Sequence, residues 1–127
     1  MRSDQRIHER LIPKENAFAA LGRNYAIVGK IKDISIDGLA FEYIAGEELQ
    51  KDESELDIFL VGEKFHLYRL PCRVIYNIAV HIPHINNNLV EMYTTKRCGI
   101  QFRELSKDLN KPLEFLLKYH TKGSGAK

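Results

Sequence analysis

Apolar residues occur along most of this chain in short runs that are separated by turn-forming residues. The runs cover residues 17–21, 25–35, 39–44, 55–61, 65–82 and 90–102. Within the third run Leu39, Phe41 and Tyr43 are spaced two positions apart, which places them on one side of a strand. Six short strands with regular turns predict a mainly β fold, either a sandwich or a barrel.

Two residues mark irregular positions in the later strands. Pro71 cannot donate a hydrogen bond to a neighbouring strand, so it predicts an edge or a bulge in the fifth run, which then forms two strands in succession. Gly99 predicts a bend or a site where another group approaches the backbone closely.

The last part of the chain changes to helical spacing. One apolar stripe is formed by Leu109, Leu113, Leu116, Leu117 and His120. Ser106 is a plausible N-cap, but Pro112 would then lie inside the helix. We therefore expect a turn over 106–109, and a helix over 111–120 that Asn110 caps.

The chain is expected to contain one domain. Its 127 residues suit a single core that buries roughly two-thirds of the surface exposed by the unfolded chain. Residues 1–15 are charged and lack periodicity, so they predict a flexible N-terminal arm. Residues 121–127 predict a disordered tail, and residues 16–120 the folded domain.

Composition is that of an ordinary globular protein, with 44% hydrophobic and 28% charged residues. No apolar run approaches the ~20 residues that span a bilayer, and the N-terminus has no signal-peptide pattern. Cys72 and Cys98 lie in apolar strand contexts, which predicts buried free thiols in a reducing compartment. We therefore expect a cytoplasmic protein without membrane insertion. A net charge of +2 is too small to indicate nucleic acid by itself.

Catalytic and metal-binding motifs are not found in the sequence. His81 and His84 have metal-ligand spacing but no companion ligands, so a surface loop is the better interpretation. Nucleophile-elbow, Walker and zinc-protease patterns do not occur. Aromatic and basic residues interleave over 65–76, as they do in barrels that stack bases, but core aromatics with an outer charged face explain the same pattern. We expect no enzyme activity, no metal and no cofactor.

The stretch DISIDG, residues 33–38, combines a turn with a polar pair. Asp37 and Gly38 between two strand patterns predict a type I′ hairpin turn. Asp33 and Ser35 are two positions apart, so a carboxylate and a hydroxyl project from the same face of the strand. The turn does not explain this pair.

A second feature is RIHER, in which Arg6 and Arg10 are four positions apart. This spacing puts both guanidinium groups on one side of the segment. The pattern is weak alone, because Arg69 and Arg73 have the same spacing. Arg2 and Arg6 also have it, so a register that uses them stays open.

RIHER followed by DISIDG resembles the PilZ domain family, bacterial receptors for the second messenger cyclic di-GMP. The family has an RxxxR and a [D/N]xSxxG motif in this order, and CGIQF at 98–102 and the closing helix are also similar to it. The resemblance covers residues 5–120. It implies a six-stranded antiparallel barrel with a C-terminal helix.

The resemblance also implies a role for each motif residue in binding cyclic di-GMP. Arg6 and Arg10 would clamp phosphates and guanine edges, since the guanidinium fork suits both. Asp33 would accept hydrogen bonds from guanine N1 and its exocyclic amine, and Ser35 would add a hydroxyl contact. Gly38 would leave room for the turn beside the ligand.

The expected function is therefore a cyclic di-GMP receptor. Binding would order the N-terminal arm over the barrel, and the signal would pass to an unidentified protein partner in trans. One alternative is a PilZ-like interaction module that does not bind cyclic di-GMP. Another is a nucleic-acid-binding barrel, which would carry a basic stripe on its strands.

Overall fold

Six antiparallel strands close into a barrel, and a helix packs against it. The computed structural model describes residues 9–14, 16–22, 27–44, 53–80 and 95–122. Its elements are β1 Ile12–Pro13, β2 Ala17–Leu21, β3 Ile27–Ser35, β4 Gly38–Ile44, β5 Glu53–Leu60, β6 His66–Ala79, β7 Thr95–Phe102, α1 Lys107–Tyr119 and β8 Thr121–Lys122. The closed order is β2-β3-β4-β7-β6-β5. The predicted six-stranded barrel with a C-terminal helix is confirmed.

Alternating apolar side chains fill the barrel. Leu39, Phe41 and Tyr43 of β4 are all buried, as their spacing predicts. Helix α1 closes the core with Leu113 and Leu116, which are 0% and 2% exposed. Among the described residues, no helix is long and apolar enough to cross a membrane.

Strand β6 is continuous, so the prediction that Pro71 divides it is wrong. Pro71 pairs with Glu55, and its carbonyl accepts a hydrogen bond from the Arg103 N–H at 2.8 Å. It therefore remains in the strand although its nitrogen cannot donate. The bulge predicted in this run does occur: the register of β6 against β5 shifts between Leu67 and Leu70, and against β7 between Val74 and Tyr76.

Helix α1 begins at Lys107, so the predicted start at Lys111 is wrong. The Asn110 N–H donates to the Ser106 carbonyl at 2.9 Å, which places the first turn where the sequence predicts a separate turn. Ser106 occupies the N-cap position without a capping bond from its side chain, and Pro112 lies inside the helix.

The helix accommodates Pro112 because solvent reaches the carbonyl that loses its hydrogen bond and because the first turn packs against the core. A proline at this position removes the bond to the carbonyl four residues earlier, that of Asp108. Asp108 is exposed, so water can reach this part of the helix. Leu109 packs against the core, and this contact holds the first turn in place.

The two ends of the domain form a small second sheet. Ile12 pairs with Lys122 and Pro13 with Thr121, and the Lys14 N–H donates to the His120 carbonyl at 2.7 Å. Thr121 and Lys122, which the sequence analysis assigns to the tail, are therefore strand residues. Sequence patterns miss this pairing because two-residue strands have no alternation to detect.

Candidate functional site

The N-terminal segment meets the barrel where β3 extends beyond β2. Strand β2 pairs with residues 27–30 of β3, and Leu11 pairs farther along with Ile34. The Leu11 N–H donates to the Ile34 carbonyl at 2.8 Å, and the Ile34 N–H donates back at 2.9 Å. Between the part of β3 that pairs with β2 and the part that pairs with Leu11, the register of β3 against β4 shifts, between Ile31 and Asp33. Backbone pairing thus brings Arg10 next to the end of β3.

Arg10 binds the polar pair that the sequence predicts on one strand face. Its Nε and Nη2 lie 3.0 Å and 2.7 Å from Asp33 Oδ1, and its Nη1 donates to Ser35 Oγ at 3.2 Å. The side chains of Arg10 and Asp33 are 28% and 35% exposed, so the pair is open to a ligand at the surface. Ile34 between them points into the core, which confirms that Asp33 and Ser35 share the outer face.

Ser35 joins this pair to the hairpin turn. Ser35 is 1% exposed, and its hydroxyl donates to the Asp37 carboxylate and accepts from the Asp37 N–H at 3.3 Å. Asp37 Oδ1 lies 4.0 Å from Arg10 Nη1. Arg10 therefore faces two carboxylates and one hydroxyl, all presented by five consecutive residues, 33–37.

The turn is not of type I′, so that prediction is wrong. The two turn residues are Ile36 and Asp37, and Gly38 is already the first residue of β4. Within the described residues, Arg69 is the one non-glycine residue with a positive φ, whereas a type I′ turn needs positive φ at both central residues. The bonds between Ser35 and Asp37 stabilise the turn instead.

Gly38 is needed for packing between strands. A Cβ at this position would lie 2.2 Å from the Ile100 carbonyl oxygen of β7. The absence of a side chain at Gly38 thus leaves room for the backbone of β7. The Phe102 N–H also donates to the Asp37 carbonyl at 2.9 Å, which ties the turn to β7.

Four residues on neighbouring strands form a row of positions on the outer face of the barrel, and Asp33 is the first of them. Register places Asp33 beside Ala40, Ala40 beside Gly99, and Gly99 beside Tyr76. A Cβ at Gly99 would lie 2.2 Å from the Tyr76 ring, which therefore covers this glycine from outside. The close approach predicted at Gly99 is confirmed. Small residues in the middle of the row leave a shallow floor between Asp33 and Tyr76.

Arg97 lies beside this floor. Its Nε donates to Glu42 Oε2 at 2.9 Å, and this bond, outweighing a smaller opposing effect of burial, raises the pKa of Arg97. Arg97 and Gly99 are two positions apart on β7, so they share the outer face of that strand with the row that begins at Asp33. Sequence reasoning missed Tyr76 and Arg97 because only the register of β6, β7 and β4 brings them near Asp33.

The predicted site residues are brought together in part. Arg10, Asp33 and Ser35 are in direct contact, and Gly38 follows in the next strand. Arg6 lies outside the described residues, as do Arg2, His81 and His84. In the part of the chain that the structure describes, no group of three or more His, Cys, Asp or Glu side chains is placed to hold a metal.

This arrangement suits a polar, partly anionic ligand. A guanidinium group has five N–H donors, and those that face away from Asp33 and Ser35 can bind phosphate oxygens or a base edge. The carboxylates accept hydrogen bonds from N–H groups.

Comparison with known proteins identifies the family. The family model described as PilZ domain matches residues 2–118. This chain belongs to the PilZ family. A search of curated protein sequences finds no match.

Two solved structures share the fold. The PilZ domain of YcgR from Escherichia coli, solved with c-di-GMP, aligns with a TM-score of 0.65 and 13% identity over 91% of each chain. MrkH of K. pneumonia in its apo state aligns with a TM-score of 0.59 and 19% identity. That alignment covers 93% of this chain and 49% of MrkH, so this PilZ chain spans about half of MrkH's length.

Proposed function

We propose that this PilZ protein is a receptor for cyclic di-GMP. The observation that carries the proposal is the contact of Arg10 with Asp33 and Ser35, since it joins the two family motifs into one surface site. Membership of the family and the cyclic di-GMP in the YcgR structure support the choice of ligand.

Each motif residue has a chemical role in this proposal. Arg10 binds a phosphate or the O6 and N7 edge of guanine, and Arg6 of the same motif does likewise. Asp33 orients Arg10 and accepts from guanine N1 and its amine, while Ser35 supplies a hydroxyl contact. Gly38 allows the close packing that holds this strand end beside β7.

Binding changes the N-terminal segment. Residues 10–14 are already joined to β3 and β8, so the ligand orders the rest of the arm from this attachment point. The change is passed in trans to a protein partner in the cytoplasm, and the protein binds the nucleotide without altering it.

A PilZ module that does not bind cyclic di-GMP is the second candidate. The observation in its favour is that Arg10 already has partners in Asp33 and Ser35, so a ligand must compete with bonds that exist. In that case the ion pair serves only to attach the N-terminal segment to the barrel.

Calorimetric titration with cyclic di-GMP separates these candidates. The unaltered protein should bind, and Arg10→Ala should bind about ten- to a hundredfold more weakly, because a charge-assisted clamp contributes about 1.5–3 kcal/mol. Arg69→Ala is the control, since Arg69 is exposed on β6, which does not adjoin β3. Absence of binding at tens of micromolar nucleotide would reject the receptor in favour of the second candidate.

A further inference from the structure

Four aromatic side chains cluster where α1 ends and the β5–β6 hairpin turns. The Phe65 and Phe115 rings stack with centroids 6.4 Å apart, and Phe115 lies 4.8 Å from Tyr119. His120 lies 5.9 Å from Phe65 and 5.7 Å from Phe115. We call these four residues the aromatic patch.

The helix side chains of the patch are exposed to solvent and lie outside the buried core of the barrel. Phe115 and Tyr119 are 49% and 52% exposed, whereas Leu113 and Leu116 of the same helix are buried in the core. Scattered apolar residues are normal on a protein surface, but a contiguous group of aromatic rings marks an interaction site. Aromatic residues are also the side chains that most often anchor protein interfaces.

Basic residues surround the patch. Lys118 Nζ lies 5.3 Å from the centre of the Tyr119 ring, Lys64 precedes Phe65, and both lysines are exposed. Lys14, which follows β1, and Lys122 of β8 are also exposed, and both are close to His120 along the backbone pairing. Among the described residues of these segments, the acidic ones are Glu63 and Glu114. Within this described set, four lysines against two glutamates give a positive rim around an apolar centre.

The patch is also continuous with the candidate ligand site. The backbone N–H of Lys14 donates to the His120 carbonyl, and β1 pairs with β8 directly after His120. Four residues before Lys14 along the same segment, Arg10 contacts Asp33. A movement of Arg10 therefore acts on a backbone that is hydrogen-bonded to the end of α1.

We propose that the aromatic patch docks an acidic segment of a partner protein. An apolar side chain of the partner contacts Phe115 and Tyr119, and its carboxylates pair with the surrounding lysines. An anionic membrane fits less well, because the four lysines only reach the lower end of the four to eight basic residues in membrane-binding clusters, and glutamates lie among them. Control of this docking by cyclic di-GMP rests on the proposed function, but the docking itself does not.

The docking is tested with synthetic peptides and the isotope-labelled full chain. The first peptide has a Leu-Phe pair flanked by glutamates, and the second has lysines in their place. Amide shifts at residues 115, 119 and 120 are expected with the acidic peptide alone, and Tyr119→Ser should weaken its binding at least about fivefold. Ile78→Ser is the matched control, since Ile78 is 54% exposed near the end of β6 that lies farthest from Phe65, and it should change nothing.

Three results would overturn the docking proposal. They are no shift at millimolar acidic peptide, equal binding of the basic peptide, and equal affinity of Tyr119→Ser. Binding of phosphatidylserine vesicles that Tyr119→Ser abolishes, without peptide binding, would reassign the patch to a membrane surface.

Repeating the peptide titration with saturating cyclic di-GMP tests the link to the ligand site. We expect the peptide affinity to change at least about threefold, which corresponds to a small coupling between two binding sites. An unchanged affinity, with nucleotide binding demonstrated by calorimetry, would reject the link and leave the docking result standing. Peptide binding without any nucleotide binding would reject the receptor function alone.

Discussion

Arg10 and Asp33 are 23 positions apart in the chain and form an ion pair in which Nε and Nη2 of the arginine both approach Asp33 Oδ1. The pair joins the segment that precedes the barrel to the C-terminal end of strand β3. It also links the two sequence motifs on which the proposed function depends. Its strength and its role in binding can be measured separately.

The ion pair is expected to contribute about 0.5–1 kcal/mol to the free energy of unfolding, because both side chains are partly exposed to solvent. A double-mutant cycle of Arg10→Ala and Asp33→Ala, followed by urea denaturation, measures this coupling. Both single variants should also bind cyclic di-GMP about tenfold more weakly or worse. Additive effects on stability would show that the two side chains do not interact in solution.

Gly38 is predicted to matter for stability before it matters for binding. Gly38→Ala should lower the free energy of unfolding by about 1–3 kcal/mol, because the new methyl group overlaps the Ile100 carbonyl and separates β4 from β7. Chemical denaturation measures the loss.

Gly62→Ala is the control for this variant. Gly62 has a positive φ of 92° and open space around it, so its substitution should cost only about 1 kcal/mol of backbone strain. A Gly38→Ala protein with unchanged stability but weakened nucleotide binding would contradict the packing role and support a direct ligand role.

Tyr76 is expected to contact the ligand at the far end of the outer row. A nucleotide with one guanine at Asp33 can extend over Ala40 towards the Tyr76 ring, which covers Gly99. Stacking of a base on an aromatic ring contributes about 1–3 kcal/mol, so Tyr76→Leu should weaken cyclic di-GMP binding about five- to a hundredfold. Tyr68→Leu on the same strand is the comparison, and an equal effect of both would argue against a contact at Tyr76.

Both cysteines are predicted to be unreactive in the folded protein. Burial raises the pKa of Cys72 and of Cys98 to about 12, from 9.0. Only about 10⁻⁴ of each thiol is therefore thiolate near pH 8, and thiolate is the reactive form. A disulfide-exchange reagent should label the native protein slowly and the unfolded protein at once; fast labelling of both thiols in the native state would contradict their burial.

The same shift determines how stability depends on alkaline pH. As the pH rises above 9.0, the unfolded chain loses thiol protons that the folded chain keeps. The free energy of unfolding should therefore fall from about pH 9 towards pH 12. Replacing both cysteines by alanine should remove this part of the dependence.

The strands could be predicted from the sequence because alternation and turn residues act locally. Asp33 and Ser35 were found in this way, since their shared face follows from strand geometry alone. The position of Tyr76 was not predictable, because it depends on a register shift between Val74 and Tyr76 that pairing with β7 imposes. Local patterns carry no information on such pairing.

Two errors have the same physical origin. Gly38 carries a turn signal, but its actual constraint is the Ile100 carbonyl on a strand that begins some sixty residues later. Pro112 signals a helix start, but packing of Leu109 against the core extends the helix across it. In both cases a tertiary contact outweighs a local preference.

Titration of the isotope-labelled protein with cyclic di-GMP, followed residue by residue in amide spectra, tests the central claim most directly. We expect saturable amide shifts that are largest at residues 10 and 11 and over 33–38, with smaller shifts at residues 76 and 97–99. Arg10→Ala should lose these shifts at the same nucleotide concentration, and Arg69→Ala should keep them. No saturable shift, or shifts confined to a different face of the barrel, would contradict the claim that this strand end is a cyclic di-GMP site.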